Sequence, residues 1–130
     1  MAFRAQKGVK RRPRKKCMAD GILFDSKEER ERYYVLIIME KKGEIKNLKV
    51  HPRFVLQPSF KKYGSTIRQI SYTADFEYYR RLDKGDWFKV VEDKKPWNVK
   101  RQEFVIEEPA RLRHKMFEYQ HQDIIFRIVK

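Results

Sequence analysis

The sequence predicts a mixed α/β fold in which a central mixed β-sheet is flanked by helices. Three observations support this prediction. The chain has 130 residues, a length that suits one domain. Its residues are 41% apolar and 14% aromatic, which is enough to build a core. The predicted elements follow the order helix, strands, helix, strand, and that order is typical of helices packed on a sheet.

Local signals at turns and caps place the first elements. The expected order begins with a strand or hairpin over 18–24, a helix over 27–41, an extended segment over 45–56 and a loop over 58–66. A long strand over 67–79 and a returning strand over 87–95 follow. No element is assigned over 96–108, and a helix over 109–120 and a final strand over 123–129 end the chain. Asp20-Gly21 is a turn dipeptide that predicts the first hairpin. Asp25-Ser26 offers N-caps for the first helix, and Gly43 is typical of a residue just past a helix end.

Proline and glycine residues punctuate the rest of the chain. Pro52 interrupts the extended segment, and Gly64 favours the loop that follows it. The turn at 83–86 contains Asp-Lys-Gly-Asp and separates the two long strands. Pro109 suits the first turn of the second helix. The apolar run at 124–126 predicts the last strand.

The first 16 residues differ in composition from the rest of the chain. They contain eight lysine or arginine residues and no acid, within a chain whose net charge is +14. We expect residues 1–16 to form a disordered basic arm and residues 17–130 to form a single domain. This charge favours a polyanionic partner, most simply nucleic acid, although a ribosomal-type or membrane-surface protein would share it.

Three charged residues on the two long strands carry the chemical signal. Asp93 and Lys95 are two apart on one strand, so their side chains project from the same face. If Tyr79 pairs with Trp87, Asp75 becomes a diagonal neighbour of Asp93, with Cβ atoms roughly 7–8 Å apart or less. Two carboxylates can hold a divalent cation, and a nearby ammonium can stabilise a nucleophile or a developing anion. Acid-x-Lys pairs are also common on exposed strands without any function.

The side chains around this trio are assigned mostly to structure. We expect a core face formed by Ile70, Tyr72, Ala74 and Phe76. We expect Glu77 and Glu92 to be solvated or to support the site rather than to bind metal, and Lys94 to point away from Asp93 and Lys95. The three histidines lack metal spacing and are expected on the surface or on phosphates: His51, His114 and His121.

Glu29 is a further candidate, on the first helix. Glu29, Tyr33, Leu36 and Ile37 share one helical stripe, so Glu29 starts on the inward face and is a candidate ligand for a metal or its water. Ser26-x-x-Glu29 is also a capping box, which explains the glutamate without any catalysis.

Basic and aromatic residues outside this cluster are candidate nucleic-acid contacts. Trp97 lies next to the predicted site and could stack on a base. The candidate phosphate contacts are Arg11, Arg12, Arg14, Lys15, Lys16, Lys100, Arg101, Arg111, Arg113 and Lys115. The alternative for those on the second helix is an ordinary solvated face.

Four short motifs occur in a specific order along the chain. They are Gly21-Ile-Leu-Phe24-Asp-Ser-Lys27-Glu-Glu29, Tyr72-Thr-Ala-Asp75-Phe76, Val90-Val-Glu-Asp93-Lys-Lys95 and Arg111-Leu-Arg-His-Lys115-Met-Phe117. Together they resemble the PD-(D/E)xK nuclease superfamily. Within it, residues 18–129 are similar to a family of small phage and prophage proteins.

The resemblance implies a restriction-endonuclease-like core and a metal-dependent DNA endonuclease that hydrolyses phosphodiester bonds. It assigns Asp75, Asp93 and Lys95 as the active-site trio and Glu29 as the helix carboxylate. The expected metal ligands are the three acids, and the expected cofactor is Mg²⁺, for which Mn²⁺ can substitute. Analogy with phage junction-resolving enzymes implies action on branched or Holliday-junction DNA. Cleavage of both strands, or of a symmetric junction, would suit a homodimer.

The chain departs from the family pattern near the lysine motif. Pro96 stands where glycine is expected after the motif lysine, and His51-Pro52 stands where Gln-Pro is expected. Residues 97–108 resemble an insertion. These departures bear on the geometry around Lys95 and on substrate preference.

Cysteine content and hydropathy limit the compartment and the alternatives. Cys17 is the only cysteine, which excludes an intramolecular disulfide and a Cys-based zinc site. No apolar run approaches the ~18 residues of a membrane span, and no signal peptide is evident, so we expect a cytoplasmic protein, in the host cytoplasm if phage-encoded. Two alternatives stay open: a non-catalytic nucleic-acid-binding protein, and an accessory protein of a phage replication or packaging complex.

Overall fold

The structure is a computed structural model that describes residues 16–130. The expected disorder of the basic arm therefore falls almost entirely outside the described residues. The chain divides into two compact units, Met1–Tyr34 and Val35–Lys130, and their boundary lies within the first helix. A single domain over residues 17–130 remains a prediction.

The described elements alternate short strands with two longer helices. In chain order they are β1 (Cys17–Ala19), β2 (Ile22–Phe24), α1 (Lys27–Lys41), β3 (Ile45–Val50), β4 (Arg53–Gln57), β5 (Phe60–Lys62), β6 (Ser65–Ile67), β7 (Ile70–Thr73), β8 (Phe76–Arg80), β9 (Phe88–Lys94), β10 (Trp97–Asn98), β11 (Glu103–Phe104), α2 (Glu108–Gln120) and β12 (Ile125–Val129). Within residues 16–130, no helix combines the length and apolarity needed to cross a membrane.

A four-stranded mixed sheet organises the second unit. Its strand order is β12-β9-β8-β3, with β12 parallel to β9 and the other neighbours antiparallel. This sheet, together with helices α1 and α2, confirms the predicted mixed α/β class.

The first unit contains the predicted hairpin and the start of α1. Strands β1 and β2 pair antiparallel around Asp20 and Gly21, whose φ angles are 49° and 75°. Positive φ at both central residues is the geometry of the two-residue hairpin turn that the sequence predicts. The Tyr33 hydroxyl donates to Asp20 Oδ2 at 2.9 Å, which ties this turn to the helix.

Both ends of α1 lie where the caps predict them. Ser26 Oγ accepts the backbone N–H of Glu29 at 3.2 Å, as an N-cap does. At the other end Gly43 has φ 77°, and the N–H groups of Gly43 and Glu44 donate to the carbonyls of Glu40 and Met39. These two hydrogen bonds form the Schellman motif, which satisfies the last carbonyls of a helix.

The long strand predicted over residues 67–79 is wrong in two respects, because Ile67 belongs to β6 and the remainder is interrupted between β7 and β8. Strand β7 pairs with β4 and strand β8 pairs with β3, so the two segments form one ribbon with a bend. The ladder continues through the bend: His51 N–H donates to the Asp75 carbonyl at 2.9 Å, and Ala74 N–H donates to the Pro52 carbonyl at 3.0 Å. His51 has φ 54°, and Pro52 has no N–H to donate, so regular pairing stops there.

The pairing of β8 with β9 also differs from the assumed one. Tyr79 pairs with Lys89, not with Trp87, a shift of two residues. A two-residue shift keeps every side chain on its face. The last pair is Phe76 with Glu92, so Asp75 comes level with Asp93.

Two segments without a predicted strand form hairpins. The predicted loop over 58–66 contains β5 and most of β6, which pair around Tyr63-Gly64. The unassigned stretch over 96–108 contains β10 and β11. These strands have two or three residues each, too few for a hydrophobic period to be visible in the sequence.

Helix α2 covers one side of the second unit, and its bounds agree with the prediction to within one residue. Phe117 on α2 is fully buried in a core cluster with residues from β4, β7 and β9. The fully or nearly buried members of this cluster are Leu56, Tyr72, Ala74, Val91 and Phe117. This cluster brings α2 next to the strands that carry the predicted acids.

Candidate active site

Asp75 lies at the bend of the ribbon and is held by β9. Its backbone N–H donates to the Glu92 carbonyl at 3.2 Å, and its Oδ2 accepts the backbone N–H of Lys94 at 2.6 Å. The Asp75 carboxylate therefore accepts the Lys94 N–H in place of a carbonyl from a neighbouring strand. Asp75 is half-buried, and its side chain is held by the backbone of β9.

Asp93 is buried in the centre of the candidate site. Its side chain lies on β9, and the residue is only 5% exposed. The Tyr72 hydroxyl donates to Asp93 Oδ2 at 2.8 Å, and His114 Nε2 lies 2.9 Å from the same oxygen. Lys95 Nζ lies 3.6 Å from it. One carboxylate oxygen thus has three donor groups around it.

These donors keep Asp93 ionised. Burial alone would raise the pKa of Asp93. The hydrogen bond from His114 and the positive charge of Lys95 oppose this effect. The hydrogen bond from Tyr72 acts in the same direction, and the pKa of Asp93 ends below its usual range. Asp93 is therefore a carboxylate at neutral pH, and His114 Nε2 is its donor.

Asp75 and Asp93 converge, as the sequence predicts. Asp75 comes level with Asp93 across the ladder, and its Oδ2 accepts the N–H of Lys94, the residue next to Asp93. Two carboxylates placed together favour a positive charge beside them. The pair therefore concentrates negative charge at a point where a cation is favoured.

Lys95 completes the predicted trio. Its backbone N–H donates to the Val129 carbonyl of β12 at 2.9 Å, which anchors the end of β9. Its side chain is 26% exposed and turns toward Asp93, which confirms that the two share a face. The side chain of Lys94 donates instead to the Lys130 carbonyl, so the prediction that it points away is also confirmed.

Tyr72 joins the core to the site, and this corrects the predicted core face. Its ring packs 5.5 Å from Phe117, as a core residue does, but its hydroxyl reaches Asp93. Phe76, expected on the same face, belongs to the opposite face of the sheet, where the Tyr78 hydroxyl donates to Glu92 Oε2 at 2.8 Å. The bend at Ala74 and Asp75 separates the two faces.

Tyr72 remains a hydrogen-bond donor over the whole physiological range. Its burial strongly raises the pKa of the Tyr72 hydroxyl, and the negative charge of Asp93 raises it further. The hydrogen bond to Asp93 and the charge of Asp75 act in the same direction. A tyrosine in this position orients a carboxylate and does not act as an acid or base near neutral pH.

His114 is the site residue that sequence reasoning missed. We expected it on the surface or on a phosphate, and that expectation is wrong, because His114 is 5% exposed and bonded to Asp93. Its spacing of three from the buried Phe117 places both on one face of α2. That spacing is the signal that could have identified it as inward-facing.

The two other histidines are half-buried and do not lie free on the surface. His51 sits at the ribbon bend with its left-handed backbone. The ring of His121 lies 4.8 Å from the ring of Phe117 and 5.5 Å from that of Phe54. His121 therefore belongs to the aromatic core around α2, and the expected surface position is wrong for it.

Glu77 and Glu92 are not solvated, contrary to one of their expected positions. Glu77 is 4% exposed and forms ion pairs with Lys89 and with Lys49, the latter at 3.8 Å. Glu92 is fully buried and accepts the Tyr78 hydroxyl. Both acids have structural partners away from the Asp75–Asp93 pair.

Glu29 is buried, as its stripe predicts, with 5% exposure. It lies in the first unit, whereas Asp75, Asp93 and Lys95 lie in the second. Its backbone N–H is capped by Ser26, so the capping reading is confirmed for the backbone. Within residues 16–130, no group of three or more His, Cys, Asp or Glu side chains is arranged to hold a metal ion. A metal role for Glu29 stays a prediction.

The predicted phosphate contacts are exposed wherever they are described. The residues concerned are Lys16, Lys100, Arg101, Arg111, Arg113 and Lys115. Arg11, Arg12, Arg14 and Lys15 lie outside the described residues. Trp97 is half-buried, with Phe104 at 4.8 Å and the Lys130 ammonium 4.3 Å over its ring, so the indole already has two partners.

Comparison with known proteins places the chain in a family without assigning it an activity. A family model described as "Protein of unknown function (DUF1064)" matches residues 10–130. Comparisons with curated proteins and with solved structures find no match. The family description names neither a fold nor a reaction, so the nuclease resemblance remains a prediction. Because the match spans nearly the whole chain, this protein belongs to the DUF1064 family.

Proposed function

We propose that this protein is a metal-dependent DNA endonuclease whose active site contains Asp75, Asp93 and Lys95. The observation that carries the proposal is the meeting of Asp75 and Asp93 across neighbouring strands, with the Lys95 ammonium 3.6 Å from Asp93 Oδ2. A structural ion pair needs one carboxylate, whereas this site brings two together. The net charge of +14 suits a polyanionic substrate.

The donor set fits a hard divalent cation. Mg²⁺ prefers oxygen ligands and is usually bound through one or two carboxylates, with waters and substrate phosphates as its other ligands. Asp75 and Asp93 would hold it between their carboxylates. Mn²⁺ can substitute because it accepts the same oxygen donors. When bound, the cation stabilises the charge that develops on the scissile phosphate.

The residues around the pair orient the reacting groups. Tyr72 and His114 fix Asp93 Oδ2 from two directions, so the carboxylate keeps one orientation. The Lys95 ammonium orients the attacking water or stabilises the negative phosphate. Exposed lysine and arginine residues on α2, together with the lysine and arginine residues of the 1–16 segment, hold the DNA through its phosphates.

The resemblance to phage junction-resolving enzymes extends the proposal to branched DNA. A homodimer would present two sites to the two strands of such a substrate. The expected compartment is the cytoplasm, where the DNA is.

The proposal is tested by incubating wild type and Asp93→Asn with labelled linear, nicked, flapped and four-way DNA, in Mg²⁺ or EDTA. We expect Mg²⁺-dependent cleavage of at least one substrate by wild type and a large loss in Asp93→Asn. Asp83→Asn is the matched control, because Asp83 is exposed in the β8–β9 turn and has φ 53°, which asparagine tolerates. No cleavage by wild type, or equal cleavage by Asp93→Asn, would reject the enzyme.

A non-catalytic nucleic-acid-binding protein is the second candidate. It is favoured by the bond from Lys94 N–H to Asp75 Oδ2, which gives Asp75 a structural role of its own. In that case Asp93→Asn binds DNA as wild type does, and Mg²⁺ has no effect beyond ionic screening.

A further inference from the structure

Hairpin β5–β6 stands apart from the site described above. Its two strands form a two-stranded sheet of their own, and all six strand residues are exposed. The register of β4 and β7 continues into it, with Gln57 opposite Ile70 and Phe60 opposite Ile67, so the hairpin is the exposed end of a longer two-stranded ribbon. A two-stranded end that buries little apolar surface contributes little to the stability of the fold.

The tip of hairpin β5–β6 carries an aromatic residue where the backbone disfavours one. Tyr63 has φ 50° and Gly64 has φ 74°, so both central turn residues are left-handed. Asn, Asp and Gly suit the first of these positions, and a bulky side chain there is an outlier. The Tyr63 ring is also 94% exposed, so its burial does not compensate for the strain. Unfavourable local choices of this type mark contact sites more often than scaffold positions.

Basic residues lie close to this ring in the sequence. Residues 58–69 contain Lys61, Lys62 and Arg68 and no acid. The Lys62 ammonium lies 5.4 Å over the Tyr63 ring. Phe60 and Ile67 form a cross-strand pair on the same face as Lys62, and they are 42% and 39% exposed, respectively. The hairpin thus presents one ring flanked by cations on a narrow ribbon.

We propose that hairpin β5–β6 is a DNA-contacting hairpin in which Tyr63 stacks on an unpaired base while Lys61, Lys62 and Arg68 contact the adjoining phosphates. A single ring presents one face to one base, and base faces are accessible only where stacking is interrupted, as at a fork, flap or junction. The inference rests on the proposed function for its polyanion, and it adds the structural feature of DNA that is recognised. A membrane surface is a poorer match, because Tyr63 is alone at the tip and the nearest apolar pair, Phe60 and Ile67, is more than half buried.

The test compares the binding of two DNAs by the full chain in EDTA, so that no cleavage occurs. The probes are a forked duplex with 2-aminopurine beside the fork and a fully paired duplex of the same sequence. Tyr63→Asn removes the ring and suits the turn, so its unfolding midpoint should equal or exceed that of wild type. Tyr63→Phe keeps the ring. Tyr119→Ala is the exposure-matched control, since Tyr119 is 79% exposed but lies on α2.

We expect wild type to prefer the fork and to change the 2-aminopurine fluorescence. Tyr63→Asn should weaken fork binding by about 5- to 100-fold with little change on the duplex. Tyr63→Phe and Tyr119→Ala should keep the wild-type preference. Replacing Lys61, Lys62 and Arg68 by alanine should weaken both DNAs and lower the salt slope by about 2 to 3.

Three results would overturn the proposal: a fork preference retained by Tyr63→Asn, no fork preference in wild type, or binding to anionic phosphatidylserine vesicles that depends on Tyr63 and exceeds binding to DNA. Failure of the proposed function has a different signature. If wild type prefers forks through Tyr63 but never cleaves DNA with Mg²⁺, the role of the hairpin stands and the nuclease function is rejected. If wild type cleaves DNA and Tyr63→Asn leaves fork binding unchanged, the nuclease function stands and the role of the hairpin is rejected.

Discussion

Asp93 remains charged inside the protein because its neighbours compensate for its burial. Tyr72 and His114 donate to one of its oxygens, and Lys95 supplies a positive charge nearby. The alternation of strand side chains was enough to predict the Asp93–Lys95 pair. It could not predict His114, because that contact depends on how α2 packs against β9, which no local pattern encodes.

The lowered pKa of Asp93 predicts an acid-dependent loss of stability. A carboxyl whose folded pKa lies below its ordinary value of 3.8 stabilises the fold above that value and loses this contribution as the pH falls through the folded pKa. In Asp93→Asn this contribution is absent. Denaturant unfolding from about pH 5 down to about pH 2 should therefore show a shallower loss for Asp93→Asn than for wild type. Identical slopes would contradict the account.

Tyr72→Phe should destabilise the protein near neutral pH by about 1.5–3 kcal/mol, because it removes a hydrogen bond to a buried charged acceptor. The raised pKa of Tyr72 adds an alkaline signature. Its contribution is fully present below its ordinary pKa of 10.0 and is lost as the pH rises further. The stability gap between wild type and Tyr72→Phe should narrow above about pH 10. A constant gap would show that Tyr72 acts only through packing.

At the scale of elements, the structure follows the sequence most closely where the signals are local. The bounds of α1 follow from Ser26 and Gly43, and the β1–β2 hairpin follows from Asp20-Gly21. The bend between β7 and β8 was missed because its cause, Pro52, lies between β3 and β4, the strands that pair with them. The β5–β6 hairpin was missed because Tyr63 is an unusual residue for its turn.

Gly43→Ala should destabilise the protein by about 1–2 kcal/mol, because alanine disfavours the left-handed backbone. Gly43 has φ 77°, and an added Cβ would meet no atom within 4 Å, so the cost is conformational rather than steric. Gly43→Asn is the matched control and should cost less, since asparagine tolerates this region. Thermal and denaturant unfolding measure both variants. Equal losses for the two would argue against the capping geometry.

At the scale of the whole molecule, composition and element order were enough to predict the fold class. The strand order β12-β9-β8-β3, with β12 parallel to β9, was not predictable, because pairing between distant segments leaves no local mark. The convergence of Asp75 and Asp93 survived an incorrect register only because the error was two residues. An error of one would have placed them on opposite faces.

The distribution of charge over the molecule predicts a salt-sensitive interaction with DNA. Residues 1–16 hold eight basic residues and no acid. Deleting them should weaken duplex binding and lower the slope of log affinity against log salt by at most about 7. Titrations in EDTA at several salt concentrations measure this slope. An unchanged slope would show that the arm serves another partner.

The single-turnover cleavage rate in Mg²⁺, on the best substrate of the DNA panel, tests the central claim most directly. Asp75→Asn, Asp93→Asn and Lys95→Met should each lower this rate by about 100-fold or more, because the first two weaken the hold on the cation and the third removes the ammonium that faces the developing negative charge. Asp83→Asn should cleave as wild type does. Wild-type rates in all three site variants, or Mg²⁺-independent cleavage, would contradict a catalytic site built on the two converging carboxylates.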